Sequence, residues 1–372
     1  MLRTEFTGKM QVIKWFNSKP SSILGVDVSS TSIKVLAISN ARGKSRVEGY
    51  GYKLLPVIEG EINPMKEIDA VSSGLREILL QHNFFDYMAV TALPDSLVLS
   101  KVIQLSAKLN HSEIEEAVLI EADYYVAHPP NEISVDFKIL GHCRTNSSML
   151  DVLIVVAKTE QVTRRAEALK RAGLRVTSVD VESDAIGRSL RLITRQLLLQ
   201  QGEIVVLISI GVSLIHFFVS DSSKILFIHE EILGDRQLFE SVQKHDGPSY
   251  EHALPIDAGV FILSDAWALK IIQPVVEILL IGMQKIRQFL SSLAYQPVIV
   301  QILLAGNWAS LAKIAERLQE KTTIPIQLAN PLQYLVISKN LNAEVILNTG
   351  PSLMVACGLA LRQGGCYYYE RN

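Results

Sequence analysis

The chain has 372 residues, with 36 basic and 38 acidic side chains, a formal charge of −2, and 48% apolar residues. That length and apolar content suit roughly two domains with substantial cores and exclude disorder, while the near balance of charge excludes the overall basic field of a nucleic-acid binder. The cysteines, Cys143, Cys357 and Cys366, lack CxxC spacing, which argues against a disulfide framework or a zinc knuckle and for a reducing compartment.

Residues 1–20 read as a leader in which Ile13, Trp15 and Phe16 sit beside Lys14 and Lys19, and Lys9 and these lysines break the apolar run that a signal peptide needs. From Ser22 to Pro56 three apolar, β-branched segments alternate with polar or glycine turns, the pattern of an antiparallel meander. Met65, Ile68, Val71, Leu75, Ile78 and Leu79 then recur at helical spacing over 64–82, and a buried strand is expected over 87–93. This β-β-β-α-β order opens a mixed sheet covered by helices.

A unit with its own rhythm follows over 97–180. Ser112 and Glu115 have capping-box spacing before a helix that runs to Tyr125 and stops before His128-Pro129-Pro130. Ile133, Val135, Phe137 and Ile139 alternate with Ser134, Asp136 and Lys138, as in a strand with one wet face. A strand over 149–157, a charged helix over 159–172 closed by Gly173, and a strand over 174–181 complete a small α/β module that reads as inserted into the first domain.

The second half repeats the opening order. Segments 204–210, 214–219 and 224–231 make another meander, and a long helix with Pro274 near its start, as a kink or first-turn residue, leads to a buried strand over 298–305. The seventeen uncharged residues between Glu203 and Asp221 approach the ~17–25 needed for a membrane span, but Gly211, Ser209, Ser213 and His216 interrupt them and two β-rich runs meet at a turn. A buried hairpin is the expectation, and no transmembrane segment is expected elsewhere. Two similar lobes place a ligand cleft between them.

Three local motifs lie where such a cleft would be. In LGVDVSSTSIKVLAIS a strand delivers Asp27, the turn Ser29-Ser30-Thr31-Ser32 follows, and a second strand carries Lys34 away. Small hydroxyl residues in a tight turn can offer N–H and O–H donors to a phosphate, and an aspartate can hold Mg²⁺ through water; an ordinary polar hairpin turn has the same composition. ISIGVSLIHFFVSD repeats the strand–turn–strand form with Gly211 and Ser213, and LLAGNWAS places Gly306 at a strand end before a helix. The histidines show no pair at ligand spacing on one helix, no GxSxG, Walker A or GxGxxG pattern occurs, and Cys357 in a small-residue segment reads as a buried apolar residue.

The order of these motifs, together with GLRVTSVDVES, LGDRQLFESV, IPIQLANP, GPSLMVACGLALR and LIEADYYVAHPPNEISVDF, resembles the PilM family of type IV pilus assembly proteins, relatives of FtsA in the actin-like ATPase superfamily. The resemblance runs from about Ser22 to Arg362. It implies an α/β, actin-like two-lobe duplicated fold with an inserted module. The expected division is a first lobe over 21–96, 181–202 and 349–372, the module over 97–180, and a second lobe over 203–348 with a helical subdomain at about 235–297. It also implies ATP-phosphate and Mg²⁺ roles for Asp27, Ser29, Ser30, Thr31, Ser32 and Lys34, with Mg²⁺ held by Asp27 through water. The second phosphate turn falls on Ile210, Gly211, Val212 and Ser213, and an adenosine turn on Gly306.

Three departures from the family pattern point to weak or absent hydrolysis. Ser209 replaces an aspartate, Gly234-Asp235 replaces a Gly-Gly pair, and Gly306-Asn307 followed by Trp308 replaces another. A lost carboxylate removes a charge that orients Mg²⁺ or water, and a Cβ at a glycine position closes space against a nucleotide. The implied function is a cytoplasmic scaffold, peripheral to the inner membrane, that binds the cytoplasmic N-terminus of PilN between the first lobe and the module. Other platform proteins, the assembly ATPase and a second copy of the chain are further partners the resemblance admits. The alternative is a sugar or acid kinase of the same superfamily, for which Asp180 and Asp184 are the catalytic candidates.

Overall fold

The computed structural model describes residues 22–29, 31–41, 44–55, 64–125, 129–143, 146–211, 214–222, 224–233, 255–256, 260–261, 265–306 and 311–362. The opening meander forms as expected. Strands β1 (Ser22–Val28), β2 (Ser32–Ala41) and β3 (Lys44–Leu54) pair antiparallel, helix α1 (Pro64–His82) follows, and β4 (Met88–Leu93) returns parallel to β1. Then come β5 (Val98–Ser106), α2 (His111–Tyr125), β6 (Ile133–His142), β7 (Met149–Lys158), α3 (Thr159–Arg171), β8 (Arg175–Val181) and α4 (Glu182–Leu197).

The second half contains β9 (Glu203–Ile210), β10 (Leu214–Ser220), β11 (Ile225–Ile232), the short pair β12 (Pro255–Ile256) and β13 (Val260–Phe261), and α5 (Asp265–Ser292). After it lie β14 (Val298–Gly306), α6 (Leu311–Thr322), β15 (Ile326–Leu328), β16 (Val336–Ile337), α7 (Ala343–Thr349) and α8 (Met354–Ala360). Pro274 lies in the interior of α5 rather than in its first turn.

The duplication is explicit in the pairing. One sheet runs β16-β3-β2-β1-β4-β8 and the other β11-β10-β9-β14-β15. Apart from the edge strand β16, each is an antiparallel meander followed by two parallel strands. The uncharged run after Glu203 is the β9–β10 hairpin, with Ile204, Val206, Ile208, Phe217 and Val219 in the core.

Five layers result. Helices α1 and α3 cover one face of the first sheet, where Val71, Leu75, Ile78, Ala168 and Leu169 meet Leu24, Val26, Ile33 and Val35. Helix α8 covers the other face through Ala356, Cys357 and Ala360 on Leu36 and Ile38. Helix α4 packs on α8 and presents Ile186, Leu190 and Ile193 to the second sheet, whose far face carries α5 and α6. The stretch Ala343–Ala360 is long and apolar enough by length and composition to cross a membrane, but 67% of it is buried inside the protein, between the two sheets and their helices. Cys357 is fully buried there, and desolvation pushes its thiol up to about 12, in keeping with an apolar role.

The segment expected as one module over 97–180 divides between two sheets. Strands β5, β7 and β6 form a separate three-stranded sheet under α2, with Ile103, Val152 and Ile154 against Ile114, Val118 and Ala122. Helix α3 and strand β8 instead complete the first sheet, β8 pairing parallel with β4 and α3 joining the core beneath α1. Likewise β16 joins the first sheet through β3, although the second lobe was expected to extend to 348. These pairings link residues far apart in sequence, so local periodicity carries no trace of them.

The expected capping box is displaced by two residues. Asn110, not Ser112, caps α2: its Oδ1 accepts from the N–H of Ser112 (3.0 Å) and Glu113 (3.1 Å), while the Asn110 N–H donates to Glu113 Oε2 at 2.8 Å. Asn110→Ala should lower stability by about 1 kcal/mol, measured by urea unfolding.

Candidate functional site: a charged cluster at the carboxyl ends of the strands

In open α/β sheets ligands bind beyond the carboxyl ends of parallel strands. At that edge of the first sheet lie Asp27 near the end of β1, Asp95 just past β4, and Glu182 just past β8. Asp27 is in register with Lys34 across the β1–β2 hairpin, Oδ2 to Nζ 3.6 Å, and both residues are 7% exposed. Tyr52 is next in the same row, opposite Lys34. Its hydroxyl is buried, and burial raises it to about 12 against the opposing Ser32 side chain.

The turn after β1 folds on itself. The Ser29 N–H donates to the Ser32 carbonyl at 2.9 Å, and Ser29 Oγ accepts from the N–H of Ser32 at 3.1 Å and of Thr31 at 3.4 Å. The backbone N–H groups of Ser29, Thr31 and Ser32 are therefore engaged within the turn. The structure brings Asp27, Ser29, Thr31, Ser32 and Lys34 to one edge; Ser30 lies outside the described residues.

The second sheet contributes Gly211, whose N–H donates to the Leu214 carbonyl at 2.9 Å, and Gly306, in register with Ile210 at the ends of β14 and β9. Gly306 has φ +131°, and a Cβ there would collide with the Ile210 carbonyl, so this strand end requires glycine. Val212, Ser213, Gly234, Asp235, Asn307 and Trp308 lie outside the described residues. Ser209 stands opposite His216, which stands opposite Glu230, with His216 Nε2 3.3 Å from Glu230 Oε1. These two reach the first sheet electrostatically. Burial raises the Asp95 carboxyl, with the Ser183 side chain, His216 and the Ser183 N–H (3.1 Å) opposing and Glu230 reinforcing.

Two participants were not anticipated. Arg165 crosses from α3 to donate Nη1–H to the Val28 carbonyl at 2.9 Å, and desolvation lowers its guanidinium against the pull of Glu182, Glu67 and Asp27. Glu182 is raised to about 8, first by burial, then by the Asp27 charge, with Arg165 opposing, Asp95 reinforcing and Lys34 opposing. The sequence signal for Glu182 and Asp95 was their place immediately after parallel strands; Arg165 had none.

Magnesium takes carboxylate and water oxygens in near-octahedral geometry. The residues here do not fit it. Asp27 is paired with Lys34, a guanidinium is anchored on the neighbouring Val28 carbonyl, and Ser209 supplies no second charge. Among the described residues no three His, Cys, Asp or Glu side chains converge as a metal cage. Of the two kinase candidates, Asp180 is engaged elsewhere. Asp180 Oδ2 is held by Arg188 and by Arg362 Nη1 at 2.9 Å, which leaves it a latch rather than a base.

The duplicated sheets define a protein of the actin-like ATPase fold. The family model for type IV pilus assembly protein PilM matches residues 25–364, and the chain belongs to that family. Among solved structures it is similar to the PilM-PilN type IV pilus biogenesis complex, with 23% identity, TM-score 0.70, and coverage of 91% of this chain and 97% of that one. The ethanolamine utilization protein EutJ from Carboxydothermus hydrogenoformans matches at 13% identity and TM-score 0.49, covering 92% and 90%. A Bacteroides thetaiotaomicron protein with actin-like ATPase fold and unknown function matches at 9% and 0.41, covering 89% and 96%.

Proposed function

We propose that the protein is a cytoplasmic scaffold of the type IV pilus inner-membrane platform, which grips the cytoplasmic N-terminal segment of PilN and works without appreciable ATP hydrolysis. The observation that carries this reading is a groove between α1, α3 and the entry to the three-stranded sheet. Ile68, Val71, Leu93 and Leu97 line it together with the polar Glu67, Gln161, Arg164 and Arg165, and Glu67 and Arg164 form an ion pair at 3.9 Å. Leu97 and neighbouring Leu99 are 40% and 38% exposed. An apolar floor with mixed charge beside it suits a short peptide with a few apolar anchors. Attachment to the membrane through PilN is the corresponding localisation, with ATP and Mg²⁺ given no catalytic part.

A fluorescent peptide of the PilN N-terminus, titrated with the purified chain, tests the reading. Leu97→Glu, at a partly exposed site, should weaken binding by at least about tenfold while leaving the melting temperature unchanged, since it puts a charge on the apolar floor. Unchanged affinity in this variant would remove the groove from the account, and sugar-stimulated ATP consumption by the wild type would replace the scaffold with a kinase.

A further inference from the structure

Helix α2 has two unlike faces. Ile114, Val118 and Ala122 pack on the three-stranded sheet at the spacing of a buried helical stripe. On the opposite face Glu113, Glu116, Ile120 and Tyr124 follow one another at intervals of three or four residues, with Asp123 beside them, so they form one outward row. Ile120 is 72% and Tyr124 82% exposed. An outward helix row ordinarily carries polar side chains, and two large apolar ones a single turn apart make a small contact patch. The Tyr124 ring is also held in place. It meets Tyr125 edge to face, with centroids 5.3 Å apart and planes at 87°, and Lys101 Nζ lies 3.5 Å from the centre of the Tyr125 ring. A side chain ordered in advance loses less freedom on contact.

The charge around this pair selects what covers it. The helix carries Glu113, Glu115, Glu116, Glu121 and Asp123 and no lysine or arginine. Glu121 and Asp123 lie near its carboxyl end, where the helix dipole disfavours a carboxylate and favours a cation. Among the described residues neither they nor Glu116 has an ion-pair partner. The complement is a short basic segment with apolar anchors, and the chain carries one. Residues 1–20 hold Arg3, Lys9, Lys14 and Lys19 against Glu5, with Ile13, Trp15 and Phe16 beside Lys14. Reach decides which copy supplies it. Phe16 stands six residues before Ser22, at most about 20 Å of extended chain. Strand β4 runs parallel to β1, and the three-stranded sheet follows the carboxyl end of β4, so Ser22 starts at the opposite edge of the first sheet. Six residues barely match the seven of β1 itself, and α2 lies past its far end.

We propose that the outward row of α2 docks the basic segment 1–20 of a second copy of this chain, with Trp15 and Phe16 on Ile120 and Tyr124 and lysines facing Glu116 and Asp123. The contact joins two unlike surfaces, so it repeats head to tail from copy to copy. A single short segment buries little area, which makes the association weak and reversible. The surface is separate from the groove beside Leu97 and from the strand-end cluster, and PilN binding has its own titration.

Sedimentation velocity of the full chain, from about 5 to about 100 µM and in about 0.05 and 0.5 M NaCl, tests the proposal. The wild type should associate as its concentration rises, and at least about tenfold more weakly in the higher salt, because the facing charges are exposed. Ile120→Ser combined with Tyr124→Ser should stay monomeric with the wild-type melting temperature, and so should Lys14→Glu combined with Trp15→Ser. Mixed in equal amounts, these two variants should form a dimer that grows no further, since one keeps the basic segment and the other keeps the helix row. Glu116→Lys combined with Asp123→Lys gives the same reading if the first pair of changes does not fold. A wild type that is monomeric at the upper concentration overturns the proposal. So does association that survives the α2 changes, or a mixture of the two variants that stays monomeric. A monomeric chain that sediments with phosphatidylglycerol vesicles, and ceases to with Lys14→Glu and Trp15→Ser, assigns residues 1–20 to a lipid surface and overturns it equally.

Discussion

Asp180→Ala is expected to lower the melting temperature by about 10 °C, the largest effect of any single charge removal in this protein. Asp180 is 8% exposed at the end of β8. One of its oxygens accepts from the Val181 N–H at 2.9 Å, and the other is shared by Arg188 of α4 and Arg362 just past α8. Arg188 also donates Nε–H to the Gly358 carbonyl at 2.7 Å, so one carboxylate and one guanidinium tie β8, α4 and α8 together. Cutting the chain back to alanine leaves Arg188, whose side chain is 11% exposed, as an uncompensated buried charge. Removing one partner of such a pair costs roughly 3–5 kcal/mol, whereas the pair itself contributes far less. Asp180→Asn keeps an acceptor and should lose about half as much. If the site were instead a catalytic base, both variants would retain the wild-type melting temperature and lose activity toward a substrate.

The contrast between these latches and the strands around them shows what could be read from residues alone. The two meanders were legible because each is local: β1–β2 and β9–β10 are hairpins whose apolar and β-branched runs flank short turns. The repeat of that order was enough to imply two related sheets, and Asp27 and Lys34 were legible as candidates because they flank a hydroxyl-rich turn between two strands, while their pairing is shown by the register. What escaped depends on contacts between distant segments. The charged helix over 159–172 has the same amphipathic pattern whether it covers the three-stranded sheet or the first sheet, and only the parallel pairing of β8 with β4 decides. Arg165 is separated from Val28 by 137 residues, so its contact with that carbonyl follows from the same pairing. The cap of α2 was missed for a smaller reason. Asn110-Glu113 and Ser112-Glu115 have identical spacing, and the first suitable side chain won because its oxygen reaches two free N–H groups.

Gly358→Val should damage the protein more than any surface change, with a melting temperature at least about 10 °C lower or recovery chiefly as insoluble chain. Helix α8 is held between two elements at backbone contact. On one side Gly25 of β1 leaves room for the carbonyl of Ala356, and on the other Gly358 of α8 lies against the Ala185 carbonyl of α4. A Cβ at either glycine would overlap backbone atoms, which, unlike the end of a flexible side chain, cannot rotate away. Because α8 lies on the first sheet and α4 on the second, moving them apart loosens the one layer common to both lobes. It also pulls the Gly358 carbonyl from Arg188 and with it the Asp180 latch, so Gly358→Val and Asp180→Ala should be non-additive. Their double variant is expected to lose clearly less stability than the two single losses added; strict additivity would mean that helix contact and latch act independently. Gly141, where a Cβ meets nothing within 4 Å but φ is +128°, provides the control. Gly141→Ala should cost only the backbone strain of about 1–2 kcal/mol and leave the layer between the sheets intact.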